Sequence, residues 1–410
     1  MVKGSCMVGQ SGGPTAVINA SLLGIIEENI KSKAFDHVYG LLNGIDGIVK
    51  ERFIDFNDYT NEELALLKTT PAAALGSVRF KMPNDLTNEV YKKIEEVFRK
   101  YNIRCFYYIG GNDSMDTCHK LGEYFKNSNY DCKVIGIPKT IDNDMVMVDH
   151  TPGYASAIKF IYQAITEIYL DTSVYQNGRV TFVEIMGRDS GWLTCASKLA
   201  CYAGYGPDLI YIPEHTFRFE EFLEDVKTIY EKKKRVLVAV SEGIRDENGN
   251  YLLQKRLHNQ NDNFGHLQLG GVGFVLAEAV NQRLGLPVRS VELNILQRAA
   301  SHLLSKTDID EAYNVGRYGV KAYLKGETDK MVGITRTYGT SYKVKYSLFP
   351  LSSIANYVKR VPTNWINERG NDISDEYINY ALPLIQGDVK PCTKNGIVKY
   401  FRIKEENVNI

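Results

Sequence analysis

Short apolar runs recur along this chain, each ending in a glycine-rich or polar turn and most of them followed by a helical repeat. Residues 6–8 lead to Ser11-Gly12-Gly13, residues 105–109 to Gly110-Gly111, and residues 134–137 to a polar turn that begins at Pro138 and ends at Asp144. Residues 180–185 lead to Met186-Gly187-Arg188, residues 209–212 to Pro213-Glu214, and residues 236–240 to Ser241-Glu242-Gly243. Apolar positions at helical spacing occupy 15–31, 88–100, 115–125, 156–168 and 219–233. Strand-like runs that alternate with helical repeats predict an α/β fold, with parallel-rich sheets wrapped by crossover helices. Ligands of such sheets bind beyond the carboxyl ends of the strands, and every polar turn named above falls at that edge. Beyond about residue 327 the pattern is less regular. A tyrosine-rich stretch spans 338–346, and the polar residues 404–409 are expected to be exposed.

Composition narrows the function without naming it. A chain of 410 residues is long enough for two domains. Its 49 basic residues balance 49 acidic ones, so it presents no global field for nucleic acid, and anions must be met by local clusters. No run of about 18 apolar residues suggests a membrane span, and residues 1–4 pass into a strand with no secretory apolar region. The seven cysteines include no C-x-x-C pair, which predicts reduced thiols and a cytoplasmic location. Cys105 and Cys132 sit in apolar runs and read as core filler. The basic run 231–235 reads as a solvated helix end.

The polar turns carry the chemistry. Gly110-Gly111-Asn112-Asp113-Ser114 stands between a strand and a helix, where backbone N–H groups and the helix N-terminus favour a phosphate. An acid inside that turn, Asp113, repels phosphate unless a cation accompanies it. Lys139, Thr140, Asp142 and Asp144 pack a cation, a hydroxyl and two carboxylates into one loop. Phosphoryl transfer needs these parts: charge to neutralise phosphate oxygens and a carboxylate to take the nucleophile's proton. Arg179 and Arg188 bracket one strand, Arg289 and Arg298 flank another, and each guanidinium is a fork suited to phosphate. Glu242 places a carboxylate at a strand tip, where a sugar hydroxyl or an arginine is a natural partner. Gly12-Gly13 and Ser77-Val78-Arg79 are two more anion-type turns. Each signal has a plain structural alternative, a tight turn or a surface ion pair. Together they favour a phosphorylated ligand and a metal over a redox cofactor or nucleic acid.

The ordered set Gly-Gly-Asn-Asp-Ser, Pro-Lys-Thr-Ile-Asp-Asn-Asp, Met-Gly-Arg, Ser-Glu-Gly and Leu-Gln-Arg resembles the phosphofructokinase family, and within it the diphosphate-dependent branch. The match runs from Met7 to about Gly326, and residues 361–372 look like the long-chain members. The resemblance implies two similar Rossmann-like domains with the active site in the cleft between them. Residues 1–155 with about 297–347 would form the donor domain. Residues 156–296 with about 348–410 would form the fructose 6-phosphate domain. It implies that Asp142 is the base for the 1-hydroxyl, that Thr140 positions that hydroxyl, and that Asp144 serves Mg2+. Met186, Gly187, Arg188 and Glu242 would line the sugar pocket, with Arg298 on the 6-phosphate. Arg179 and Arg289 would reach the 6-phosphate from a neighbouring subunit, which implies a homodimer or homotetramer. Gly12, Gly13, Arg79, Gly110, Gly111, Asp113 and Ser114 would line the donor side.

Two positions bear on the donor. ATP-using members commonly carry glycine where this chain has Asp113 and Lys139. The resemblance implies that the acid shuts out an α-phosphate while the lysine binds one end of diphosphate. It also implies a reversible reaction. Asn112 stands where an aspartate commonly ligates the metal, so Asn112, Asp113 and Asp144 are all candidate ligands. Ile295 replaces a common His or Tyr. The first helix has Leu23 and Glu27 near positions where regulated ATP-dependent members carry arginines, so no such regulation is expected. An ATP-dependent 6-phosphofructokinase, a non-catalytic sugar-phosphate-binding subunit, and acceptance of sedoheptulose 7-phosphate remain open alternatives at this point.

Overall fold

The computed structural model describes residues 4–252, 270–337, 339, 341–355, 357–405 and 408. Its strands in chain order begin with β1 (Ser5–Gln10), β2 (Val38–Leu41), β3 (Phe53–Asp55), β4 (Ile103–Gly110) and β5 (Lys133–Pro138). They continue with β6 (Val180–Ile185), β7 (Leu209–Tyr211), β8 (Val236–Ser241), β9 (Val288–Glu292), β10 (Leu304–Ser305), β11 (Lys330–Thr337) and β12 (Lys343–Pro350). One sheet has seven strands in the order β12-β11-β5-β4-β1-β2-β3, and a second has four in the order β7-β8-β6-β9. Within these two sheets all pairs are parallel except the outermost pairs of the larger one, β11–β12 and β2–β3. Both sheets are parallel-rich, and they differ in size and in strand order.

The parallel strands are buried on both faces, which is why they read as continuous apolar runs. Side chains alternate across the first sheet. Cys6 and Val8 face a core with Ile18 and Leu22, whereas Met7 faces another with Phe98 and Phe106. The second sheet divides likewise: Val183 and Ile185 pack with Ile158 and Trp192, and Val180 and Phe182 with Phe222 and Leu276. The helices that cross over follow the expected repeats, at Ile18–Ser32, Glu89–Lys100, Asn112–Asn127, Tyr154–Thr172 and Phe219–Lys233. The helix Ile18–Ser32 lies directly against Lys306–Leu324. A Cβ at Gly24 would meet Tyr313 O at 2.0 Å, and one at Gly316 would meet Ser21 O at 2.0 Å, so only glycine permits the approach. Among the described residues, no helix is long and apolar enough to cross a membrane.

The stretch expected to be irregular beyond 327 is instead a hairpin, with β11 and β12 paired from Lys330↔Pro350 to Thr337↔Lys343. β12 is an edge strand in which exposed Lys343 and Lys345 alternate with Val344, Tyr346 and Leu348, which pack on the core. Tyr338 and residues 406, 407 and 409 lie outside the described residues. The expected boundary at 347/348 falls inside β12. Val361, Ile373, Tyr377 and Leu384 join the core of the second sheet. The chain then returns to the first unit. Phe401 stacks near Tyr59 at 5.2 Å, and its N–H donates to Thr70 Oγ1 at 2.9 Å.

Candidate active site

The turns after β1, β4 and β5 and those after β6 and β8 meet around one cavity of about 460 Å3. Gly12, Gly13, Arg79, Gly111, Asn112, Asp113 and Ser114 line it on the side of the larger sheet, with Lys139, Thr140, Asp142 and Asp144 at its floor. Met186, Arg188, Glu242 and Arg298 line the opposite side. The first turn of helix Asn112–Asn127 opens onto this space, so its unpaired N–H groups and positive dipole end face whatever binds. Ser114 is buried in that turn and Asp113 is exposed.

Lys139 is only 2% exposed, and its Nζ donates to Gly13 O at 2.6 Å. Burial pulls its ammonium down to about 8, against the opposing pull of Asp142 and Asp144. Gly12 turns at φ +74, and a Cβ there would come 3.3 Å from Lys139 Nζ. The turn and the lysine are therefore built around each other. Thr140 Oγ1 donates to Asp142 Oδ2 at 3.2 Å and accepts the Asp142 N–H at 3.1 Å. Burial raises the Asp142 carboxyl, while the Thr140 hydroxyl, Lys139 and Arg188 oppose that rise. Burial and the neighbouring Asp142 push Asp144 up to about 7. Asn112 Nδ2 donates to Asp144 Oδ2 at 3.3 Å, while Asn112 Oδ1 is buried with no hydrogen-bond partner. Across the cavity, Gly187 N–H donates to Glu242 Oε1 at 3.2 Å, and burial lifts Glu242 to about 7. Arg298 reaches Gly13, where a Cβ would lie 3.2 Å from its Nη1.

Four of the expected residues stand outside the cavity lining. Gly110 ends β4, and a Cβ on it would strike Ser114 Oγ at 2.0 Å, so it sets the tight strand-to-helix step rather than touching the cavity. Gly187 sits behind Met186 and Arg188, at φ +141. Arg179 precedes β6 and Arg289 is the second residue of β9, so both lie at the amino ends of their strands. A strand of this length separates them from Met186 by roughly 20 Å, at about 3.3 Å per residue. Arg289 faces Asp171, at 3.7 Å.

The cavity also uses residues to which no role was assigned from the sequence. Asp189 accepts from Arg188 Nε at 2.8 Å, from Arg245 Nη2 at 2.9 Å and from Tyr251 OH at 2.9 Å. Although burial opposes it, these partners hold its carboxyl below the usual range. A carboxylate directly after the arginine of the Met186-Gly187-Arg188 turn was the available signal. Val358, from the segment after β12, lines the cavity as well. Nothing in the sequence pattern connects it to the loops it joins.

Comparison with known proteins accords with this geometry. Residues 5–309 match the family model described as phosphofructokinase. A pyrophosphate–fructose 6-phosphate 1-phosphotransferase of Rhodospirillum rubrum is 39% identical over 414 residues, covering 100% of this chain and 98% of that protein. One from Halomonas elongata is 38% identical over 413 residues, with 100% and 98% coverage. The crystal structure of a pyrophosphate-dependent phosphofructokinase from Marinobacter aquaeolei superimposes with a TM-score of 0.89 at 33% identity, over 99% of this chain and 98% of that one. With the family model covering β1 to β10 and likeness to relatives over the full length, the chain belongs to the phosphofructokinase family.

Proposed function

We propose that this protein transfers a phosphoryl group from diphosphate to the 1-hydroxyl of fructose 6-phosphate, reversibly, giving fructose 1,6-bisphosphate and phosphate. One observation carries the reading. A buried lysine, a half-buried carboxylate bonded to a threonine hydroxyl, and three arginines converge on one cavity between the sheets. That is the equipment for taking a proton from an alcohol beside a group of high negative charge.

Diphosphate lies against the Gly12-Gly13 turn, Arg79 and the first turn of helix Asn112–Asn127, with Lys139 at one end. Asp113 stands at the cavity wall, where an additional phosphate and its nucleoside would pass, and repels them. The sugar lies against Met186, Arg188 and Glu242, with Arg298 toward its 6-phosphate. Thr140 orients the 1-hydroxyl, and Asp142 accepts its proton as the oxygen attacks in line. Lys139 and Arg188 offset the charge on the transferring group.

The residues also suit Mg2+. Asn112 Oδ1 is a buried oxygen without a partner, and Asp144 stands beside it. Asp113 is the third candidate. Among the described residues, no three His, Cys, Asp or Glu side chains form a metal cage. A magnesium site built from few protein oxygens plus phosphate and water has that character. Bound there, Mg2+ would neutralise phosphate charge. Arg179 and Arg289 serve the sugar 6-phosphate of a second copy, which makes the working unit a homodimer or homotetramer. Seven free cysteines support a cytoplasmic location.

Asp142→Ser tests the chemistry. Loss of the base predicts a kcat lower by roughly 10²–10⁴-fold in both directions. A kcat near that of the parent contradicts the assignment.

A further inference from the structure

The segment that carries Asp142 and Asp144 has no regular secondary structure between β5 and the helix Tyr154–Thr172, apart from an isolated bridge at Thr140. It holds two non-glycine residues at positive φ, Asn143 at 55° and Met147 at 68°. Such a loop does not hold its carboxylates in place by itself. Lys359, more than two hundred residues later, binds it at both ends. The Lys359 N–H donates to Asp144 O at 2.6 Å. Its Nζ donates to Asn143 Oδ1 at 3.2 Å, to Val148 O at 3.2 Å and to Asp149 O at 2.8 Å. An ammonium has three donors, and this one has an acceptor for each.

The lysine is itself fixed. Trp192 Nε1 donates to Lys359 O at 3.0 Å, and the Trp192 ring lies 5.1 Å from Nζ. Tyr380 completes the arrangement: its hydroxyl donates to Asp149 O at 2.8 Å and accepts from Asn143 Nδ2 at 2.9 Å. Val358, the residue before Lys359, lines the cavity. The same short segment therefore touches the ligand space and holds the loop that bears the base.

We propose that Lys359 is a positioning residue. By holding residues 143–149 through two backbone carbonyls and one side chain, it sets where Asp142 stands relative to the sugar hydroxyl. The proposal rests on the phosphoryl-transfer reading above. Losing the ammonium takes one donor from each of three acceptors in an enclosed site: Val148 O loses this partner, while Asn143 Oδ1 keeps the Thr151 N–H and Asp149 O keeps the Tyr380 hydroxyl. The loop then relaxes, and displacement of about 1 Å at a reacting group can cost roughly 100-fold.

The test uses the full chain with diphosphate, fructose 6-phosphate and Mg2+. Parent protein inactive with diphosphate defeats the underlying reading and not this one alone. With an active parent, Lys359→Met is expected to lower kcat by about 10-fold or more, with both KM values within about threefold of the parent. In an Asp142→Ser background the same substitution is expected to cost less than about threefold, because its effect passes through the base. A Lys359→Met protein with parental kcat and only a lower Tm overturns the proposal, as does an equal loss in both backgrounds. If Lys359→Met does not fold, Tyr380→Phe decides, since it is nearly isosteric and removes two further bonds of the same loop. A lower kcat at unchanged KM supports the proposal, and an unchanged kcat overturns it.

Discussion

Lys139 combines two demands that pull against each other. It is buried under the Gly12-Gly13 turn, which disfavours its charge, and it needs that charge to meet a diphosphate. Burial brings its ammonium down to about 8, while Asp142 and Asp144 keep it from falling further. The charged form is present below that value and is lost as pH rises through it. For the free enzyme, kcat/KM for diphosphate is therefore expected to fall above about pH 8, by up to tenfold per pH unit. Lys139→Arg keeps its charge throughout and should move that limb to higher pH, whatever it costs in absolute rate. A pH–rate profile of the two proteins checks this. An unshifted limb assigns the titration to another group. Asp113 differs in kind. It is exposed on the first turn of a helix that otherwise favours anions, so its expense is small and its effect falls on what else can enter.

At the level of elements, the strand–turn–helix unit around Gly110 was legible because two periodicities change at one point. A fully buried run ends at Gly110, and a 3.6-residue repeat begins at Asn112. Gly110 itself was legible as a necessary glycine but not in its purpose, since its close approach to Ser114 depends on how tightly the strand turns into the helix. The hairpin of β11 and β12 was missed for the opposite reason. β12 does alternate, with Val344, Tyr346 and Leu348 against the core and Lys343 and Lys345 exposed, but no helical repeat follows it to mark where it ends. The packing of helix Ile18–Ser32 on Lys306–Leu324 was likewise hidden, because it depends on two glycines nearly 300 residues apart meeting backbone across the interface. Gly316→Ala is expected to lower stability by about 1–3 kcal/mol, through overpacking against Ser21 O. Denaturant unfolding measures it, and activity per folded molecule should stay near that of the parent. A stability equal to the parent's contradicts the close approach.

For the whole molecule, the arrangement follows from setting two parallel sheets with their carboxyl edges toward one cavity. Residues 12–13, 111–114, 139–144, 186–188, 242 and 298 were each placed at a strand or helix end by local pattern alone, and the fold brings nearly all of them together. What local pattern could not supply was the tail. Residues 361–385 pack beneath the second sheet, and Phe401 returns to the first. Lys359 thereby reaches a loop from which it is remote in sequence. Arg179 and Arg289, at the amino ends of β6 and β9, lie at the opposite strand ends from the cavity of their own chain. In the proposed function, Asp113 and Lys139 together decide the phosphoryl donor. The most direct test is steady-state formation of fructose 1,6-bisphosphate by the purified protein, with Mg2+ and either diphosphate or ATP. The account predicts a kcat/KM for diphosphate at least about 100-fold above that for ATP, with the advantage lost in Asp113→Gly/Lys139→Gly. Turnover with ATP equal to or above that with diphosphate contradicts it.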